Sequence, residues 1–206
     1  MAQRRLPRLR GRDPVARRRH PLLAVLADLD QAALRALRTR AHGRVPDAVM
    51  KTLGMAGEWG AVWAATAATA AAVDGGRRRR WMIAGAVGPA AIGVNFAVKV
   101  AVGRKRPVLE EHPPLARAPT KLSFPSAHAT SSLAAATAMG RIAPGGRPVL
   151  YGLAAAICLS RPYLGMHYPS DVVAGAALGI ALGRLVPGLD GGPPTGGSAE
   201  PHSAAP

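Results

Sequence analysis

A chain of 206 residues is long enough for one domain, and 49% hydrophobic residues with only 4% aromatic leaves Ala, Gly, Val and Leu to build any core. The single cysteine, Cys158, excludes a disulfide framework and a cysteine-based metal site. A net charge of +16 suits a nucleic-acid binder, but the basic residues gather in the first fifty positions and in short clusters between apolar stretches, which suits anionic lipid headgroups better than a continuous nucleic-acid groove.

Residues 1–20, rich in Arg with scattered Pro, are expected to form a disordered basic tail. No secretory signal is expected, because the apolar stretch 21–26 is short and Asp28 and Asp30 follow it closely. Residues 21–45 are predicted to hold an amphipathic interfacial helix: Leu23, Leu26, Leu29, Ala33, Leu34 and Leu37 fall on one helical stripe, opposite Asp30, Arg35 and Arg38.

Five stretches within residues 46–187 are long and apolar enough to cross a bilayer, at 53–73, 81–102, 126–143, 148–164 and 171–187. The expected fold is therefore all-α, a multi-pass transmembrane helical bundle of about five spans with the amphipathic helix at its N-terminal side. Frequent Gly and Ala residues let such spans approach backbone to backbone. Glu58, Trp59 and Asn95 fall inside the stretches; Glu58 is read either as a substrate contact or as a pairing or interface residue. The arginines at 77–80 suit a basic turn, Tyr163 and Tyr168 suit a headgroup pocket or interfacial anchoring, and residues 188–206 are expected to be a disordered Pro/Gly tail.

If the chain crosses five times, Lys99 ends the second stretch and His128 begins the third, while Arg161 ends the fourth and Asp171 begins the fifth. All four, with His167, then lie at one membrane face. Ionisable groups are costly near a bilayer, so their convergence invites a functional reading. Lys99, Arg106 and Arg161 are three cations with few acids to neutralise them, which suits an anionic ligand. Ser126 follows Pro125 at the start of a helix, where a Ser cap and free backbone amides favour an anion. Asp171 stands four residues after His167, so its carboxylate can reach one ring nitrogen and fix the tautomer.

Three local patterns carry a specific resemblance: Lys99 with Arg106 and Pro107; Phe124, Pro125, Ser126, Ala127 and His128; and Ser160, Arg161, His167 and Asp171. In this order and spacing they resemble the signature motifs of the type 2 phosphatidic acid phosphatase family, also called the lipid phosphatase and haloperoxidase superfamily. The resemblance covers roughly residues 50 to 187. It implies a metal-independent phosphoric ester hydrolase that needs no cofactor and acts on a lipid phosphate in the bilayer, with no nucleic-acid partner. It also implies the roles: His167 as nucleophile forming a phosphohistidine, Asp171 orienting it, and His128 as the acid and base. Lys99, Arg106, Ser126, the Ala127 backbone and Arg161 hold the phosphate. Ala127 stands where the family usually has Gly, a change that a backbone amide tolerates unless positive φ is required. A metal centre is the competing use of two histidines and an aspartate, disfavoured by the three surrounding cations. A vanadate-dependent peroxidase and a noncatalytic lipid-phosphate-binding membrane protein are the alternative functions.

The arginines at 77–80, with Arg141, Arg147 and Arg184, mark the face opposite the site, whereas the basic N-terminal segment lies on the site face. Contact of the surface helix with anionic inner-leaflet lipid favours a cytoplasmic site in the cell membrane. Phosphatidic acid, phosphatidylglycerol phosphate, a polyprenyl diphosphate and a polyprenyl phosphosugar are candidate substrates. The Arg, Ala and Gly bias and short chain are similar to actinobacterial members of the family, including those acting on decaprenylphosphoryl phosphoribose.

Overall fold

A computed structural model describes residues 21–40 and 42–190. The expected tail at 1–20 and, from residue 191 on, the expected tail at 188–206 lie outside the described residues. Seven helices follow one another: α1 (Pro21–Thr39), α2 (Arg44–Ala56), α3 (Ala61–Val73), α4 (Arg78–Val102), α5 (Ala127–Ile142), α6 (Arg147–Tyr163) and α7 (Pro169–Leu185). The described residues contain no β-strand, only an isolated antiparallel pairing of Lys105 with Leu122.

α5 is the central post, packed by α4, α6 and α7 and buried from Ala129 to Met139 without interruption. Its Ala, Ser and Thr residues are small enough for neighbours to close in on all sides. The closest approach is to α7, whose Gly175, Gly179 and Gly183 recur one helical turn apart and face α5. A Cβ at these positions would lie 2.6 Å from the Ser126 carbonyl oxygen, 2.3 Å from that of Thr130 and 2.6 Å from that of Ala134. Only hydrogen fits there, so these two helices touch through their main chains. Large side chains fill the remaining space: Trp63 on α3 is fully buried and donates its indole N–H to Ser132 Oγ on α5 at 3.0 Å.

Four expected spans coincide with α4, α5, α6 and α7 to within a few residues. The first, 53–73, is interrupted. A 3-10 turn over Glu58–Gly60 separates α2 from α3, with Trp59 (φ 53°) and Gly60 (φ 75°) both left-handed. Apolar composition alone carries no signal for this break. Its cause is tertiary, because Gly60 seats against the ring of Pro89 inside α4. Among the described residues one helix, Gly75–Val102, is long and apolar enough to cross a membrane by itself.

α1 is helical as expected, but its orientation differs from the simple amphipathic picture. Asp30, Leu34 and Arg38, spaced four apart, turn inward and are buried, while Val25, Leu26 and Leu29 point outward. The polar pair is inside because each has partners there. Arg38 donates to the carbonyls of Tyr163 at 2.9 Å and Pro113 at 2.7 Å, and Asp30 accepts from Ser170. At the other terminus packing continues to the last described residues: Leu189 is fully buried and Asp190 pairs with Arg141 at 2.7 Å.

Candidate active site

The cavity that matters lies at the end of the bundle where α4 and α6 finish and α5 and α7 begin. It measures about 370 Å³, and Lys99, Arg106, Ala127, His128, Arg161 and His167 all line it. Six of the eight residues singled out by sequence therefore share one cavity. The other two, Ser126 and Asp171, stand directly behind its wall and are joined main chain to main chain, Ser126 N donating to Asp171 O at 2.9 Å.

His167 is carried by the short connection between α6 and α7. That connection folds back on α6 through a left-handed Gly165 (φ 75°), with Met166 N donating to Arg161 O at 3.0 Å. The reversal brings the imidazole onto the cavity face beside Arg161. Asp171 is the third residue of α7 and caps its N-terminus, Oδ2 accepting from Tyr168 N at 2.9 Å. The same oxygen lies 3.5 Å from His167 Nδ1. That is ion-pair range but long for a made hydrogen bond, and Nδ1 has no nearer partner. Catalytic hydrogen bonds are often loose before substrate binds and tighten with it.

The opposite nitrogen, Nε2, lies 3.1 Å from Arg106 Nη1. A guanidinium can only donate, so Nε2 carries the lone pair and the proton resides on Nδ1, toward Asp171. His167 is only 2% exposed. Burial holds its pKa down to about 4, with Arg106 and Arg161 adding to the effect and the neighbouring Asp171 carboxylate opposing it. A neutral imidazole with its lone pair facing the cavity is the form a nucleophile requires.

The cations differ in how they are held. Lys99 ends α4, buried, and donates to the carbonyls of Ser123 at 3.2 Å and Pro125 at 2.8 Å, pinning the turn that leads into α5. Arg106 is clamped by Met166 O at 2.6 Å and Thr120 O at 2.8 Å. Arg161 is also buried, yet its Nε has no protein partner. A buried guanidinium N–H left without an acceptor among the described residues favours an anion.

Ser126 occupies the position just before α5, but its hydroxyl makes no cap hydrogen bond; Oγ is buried and unpartnered. The expected capping role is thus corrected, and the hydroxyl is available to a ligand. Among the non-glycine described residues only Trp59 has positive φ, so Ala127 sits in ordinary backbone and its Cβ costs no strain. His128 Nε2 lies 3.1 Å from Gly54 O and so donates to it, leaving Nδ1 as the nitrogen with a lone pair. Among the described residues no three His, Cys, Asp or Glu side chains are gathered as for a metal ion.

Three contributors were not assigned to the site from the sequence. Gly54 of α2 both accepts from His128 and lets α2 approach Arg161, since a Cβ there would lie 2.8 Å from Nη1. Asn95, fully buried at the cavity edge, donates to Thr130 Oγ1 at 2.9 Å. Arg104 binds Asp171 Oδ1 at 2.8 Å. Within a basic run beside Arg106 nothing distinguished it.

Part of the cavity lining is apolar. Ile92, Gly93 and Phe96 of α4 and Trp59 of the broken turn present apolar surface, with Glu58 at the rim.

Known proteins resemble this chain. Decaprenylphosphoryl-5-phosphoribose phosphatase of Mycobacterium tuberculosis is 46% identical over 119 residues, which is 56% of this chain and 64% of that one. The chain thus spans less than two thirds of that relative's length. The protein of the same name from Mycolicibacterium smegmatis is 41% identical over 128 residues, 61% of this chain and 68% of its own. In fold, the chain resembles a transmembrane PAP2 type phosphatidylglycerolphosphate phosphatase from Bacillus subtilis, with a TM-score of 0.60, 22% identity, and coverage of 78% and 84% of the two chains. The family model described as PAP2 superfamily matches residues 80–190, more than half the chain. That stretch carries all eight residues expected to serve the cavity, and this protein belongs to the PAP2 superfamily.

Proposed function

We propose that this protein is an integral membrane phosphatase of the cell membrane that hydrolyses a phosphate monoester on a polyprenyl phosphosugar. The observation that carries this reading is the mixed lining of one cavity: Lys99, Arg106, Arg161 and His167 together with Ile92, Phe96 and Trp59. Such a site fits a phosphate whose remaining substituent runs into lipid. The names of the relatives at 41–46% identity favour a prenyl phosphosugar among the lipid phosphates.

Residues 46–187 form the phosphatase domain, with α4 to α7 as spans and the α2–α3 pair as the fifth, interrupted crossing. Exposed Val94, Phe96, Leu159 and Val173 give the bundle the apolar perimeter that a bilayer requires. α1 lies along the surface with Val25, Leu26 and Leu29 in the headgroup boundary.

The reaction follows from the atoms in place. Phosphate enters between Lys99, Arg106 and Arg161, and Arg106 transfers its hydrogen bond from His167 Nε2 to a phosphate oxygen. His128 Nδ1 takes up the proton carried by the entering phosphate monoanion; Nε2 of His167 then attacks phosphorus in line, the bond from phosphorus to the ester oxygen breaks, and His128 passes that proton from Nδ1 to the departing alkoxide. Asp171 accepts from Nδ1 of His167 and stabilises the positive charge formed on the phosphorylated ring. Water next attacks phosphorus, losing a proton to His128; the bond from nitrogen to phosphorus breaks and inorganic phosphate leaves.

The test is phosphate release by the purified protein in lipid with EDTA present, across phosphatidic acid, phosphatidylglycerol phosphate, a polyprenyl diphosphate and a 5-phosphoribosyl prenyl phosphate. The expected result is EDTA-insensitive release with kcat/KM highest, by about tenfold or more, for the phosphosugar; an extra set of satisfied polar contacts is worth at least that. Release no greater than that of His167→Ala on every lipid would overturn the proposal.

Gly54→Ala provides a second check on the phosphate grip. The added methyl pushes on Arg161 Nη1 from 2.8 Å, so the expected outcome is a 10- to 100-fold fall in kcat/KM, of the order seen for misplacements of about 1 Å. Because Arg161 binds ground state and transition state alike, most of the loss is expected in KM.

A further inference from the structure

Arg104 follows Gly103, the left-handed residue that ends α4, and its guanidinium is shared between two carboxylates. Nη1 donates to Asp171 Oδ1 at 2.8 Å, and Nη2 donates to Asp30 Oδ2 at 2.7 Å. The plane also stacks on Tyr168, 4.1 Å from the ring centroid. Asp30 is buried to 6% exposure, far from where an α1 carboxylate facing solvent would sit. Its Oδ1 accepts from Ser170 N at 2.9 Å, and Oδ2 accepts from Ser170 Oγ. Asp30 thus grips both Arg104 and the first turn of α7, the turn that carries Asp171.

The charges explain why a second carboxylate is useful. Asp30, Arg104 and Asp171 together carry one net negative charge, and a positively charged His167 ring neutralises it. Without Asp30, Arg104 and Asp171 already cancel, and the positive charge that develops on the His167 ring as its nitrogen bonds phosphorus loses the net negative partner behind it. The geometry works in the same direction. Released from Asp30, the two nitrogens of the Arg104 fork can both turn onto Asp171 and compete with His167 for it.

We propose that Asp30, on α1 and outside the matched family region, is a positioning residue of the active site that acts through Arg104 on Asp171 and hence on His167. This role rests on the phosphatase reading. It makes α1 a working part of the catalytic assembly as well as a surface helix.

Asp30→Asn in the full chain tests it, because the amide keeps the size and an acceptor for Ser170 while removing the charge. The expected result is a fall in kcat of about 10- to 100-fold with KM and inhibition by inorganic phosphate changed less than about twofold, since Lys99, Arg106 and Arg161 are untouched. Inhibition by orthovanadate, which bonds to the histidine nitrogen as the transferring phosphoryl group does, is expected to weaken by the same factor as kcat. Asp30→Glu restores part of both. If Asp30→Asn does not fold, Arg104→Lys carries the same readouts, because an ammonium keeps the charge but cannot bridge two carboxylates with a planar fork.

A kcat unchanged in a wild-type-active background overturns the role. So does a lowered kcat with vanadate inhibition unchanged, which marks mere loss of folded protein. A wild type inert on every lipid phosphate overturns the phosphatase reading and this role with it.

Discussion

His167→Ala is expected to lower phosphate release by about 10⁴-fold or more, to the level of the uncatalysed background, because it removes the nitrogen that bonds phosphorus. A phosphoryl group trapped under alkaline quench should be present on the wild type and absent from this variant. Activity within tenfold of wild type would remove His167 from the nucleophile's role.

The same residue sets the acid limb of the pH profile. With its pKa held down to about 4, chiefly by burial and then by Arg106 and Arg161 against Asp171, the imidazole keeps its lone pair at neutral pH. Below about pH 4 each further unit should lower kcat/KM about tenfold, as protonation occupies the attacking nitrogen. Replacing Arg106 by Gln removes a positive neighbour and makes protonation easier. The limb therefore moves to higher pH, whatever happens to KM.

The largest expected effect on stability belongs to Gly179→Ala. Its methyl would lie 2.3 Å from Thr130 O, 3.0 Å from Ala134 N and 3.1 Å from Leu133 Cβ. Overpacking a core that can shift side chains costs about 1–3 kcal/mol. Here the obstacles are main-chain atoms of a helix buried on all sides, and no rotamer relieves them. A loss of about 3 kcal/mol or more follows, with a fall in Tm of roughly 6–12 °C for a chain of this size. Gly152→Ala on α6 is the control: nothing lies within 4 Å of its Cβ, and Ala should gain about 0.5–1 kcal/mol from helix propensity alone. Thermal denaturation in one detergent compares the two, and equal midpoints would refute the close-contact account.

The residues that line the cavity were largely legible, because ionisable groups at span ends are scarce and their types suit phosphate. Lys99, His128, Arg161, His167 and Asp171 could be placed at one end of the bundle simply by alternating helix direction. What sequence did not reveal depends on neighbours brought together from afar. The break at Trp59 answers to Pro89 on α4, thirty positions on. Asp30 and Arg38 were assigned to the outer face of α1 because polarity usually marks solvent, whereas their partners on α7, α6 and the connection at 103–126 reward burial. Arg104 was hidden in a run of basic residues, and Gly54 among many helical glycines. Pattern identifies an element's average face; a buried ion pair or a glycine contact is a property of the assembled pair.

The main-chain contact of α5 with α7 also has an evolutionary consequence. Ser126 and His128 sit at the start of one helix and Asp171 at the start of the other, so their separation is set by peptide atoms meeting at three glycines and hardly at all by side-chain volume. Outward-facing positions such as Val173 and Leu185 are then free to drift with the lipids of each host membrane while the catalytic spacing stays constant. Substitutions on that outer surface are therefore expected to leave the spacing of Ser126, His128 and Asp171 unchanged.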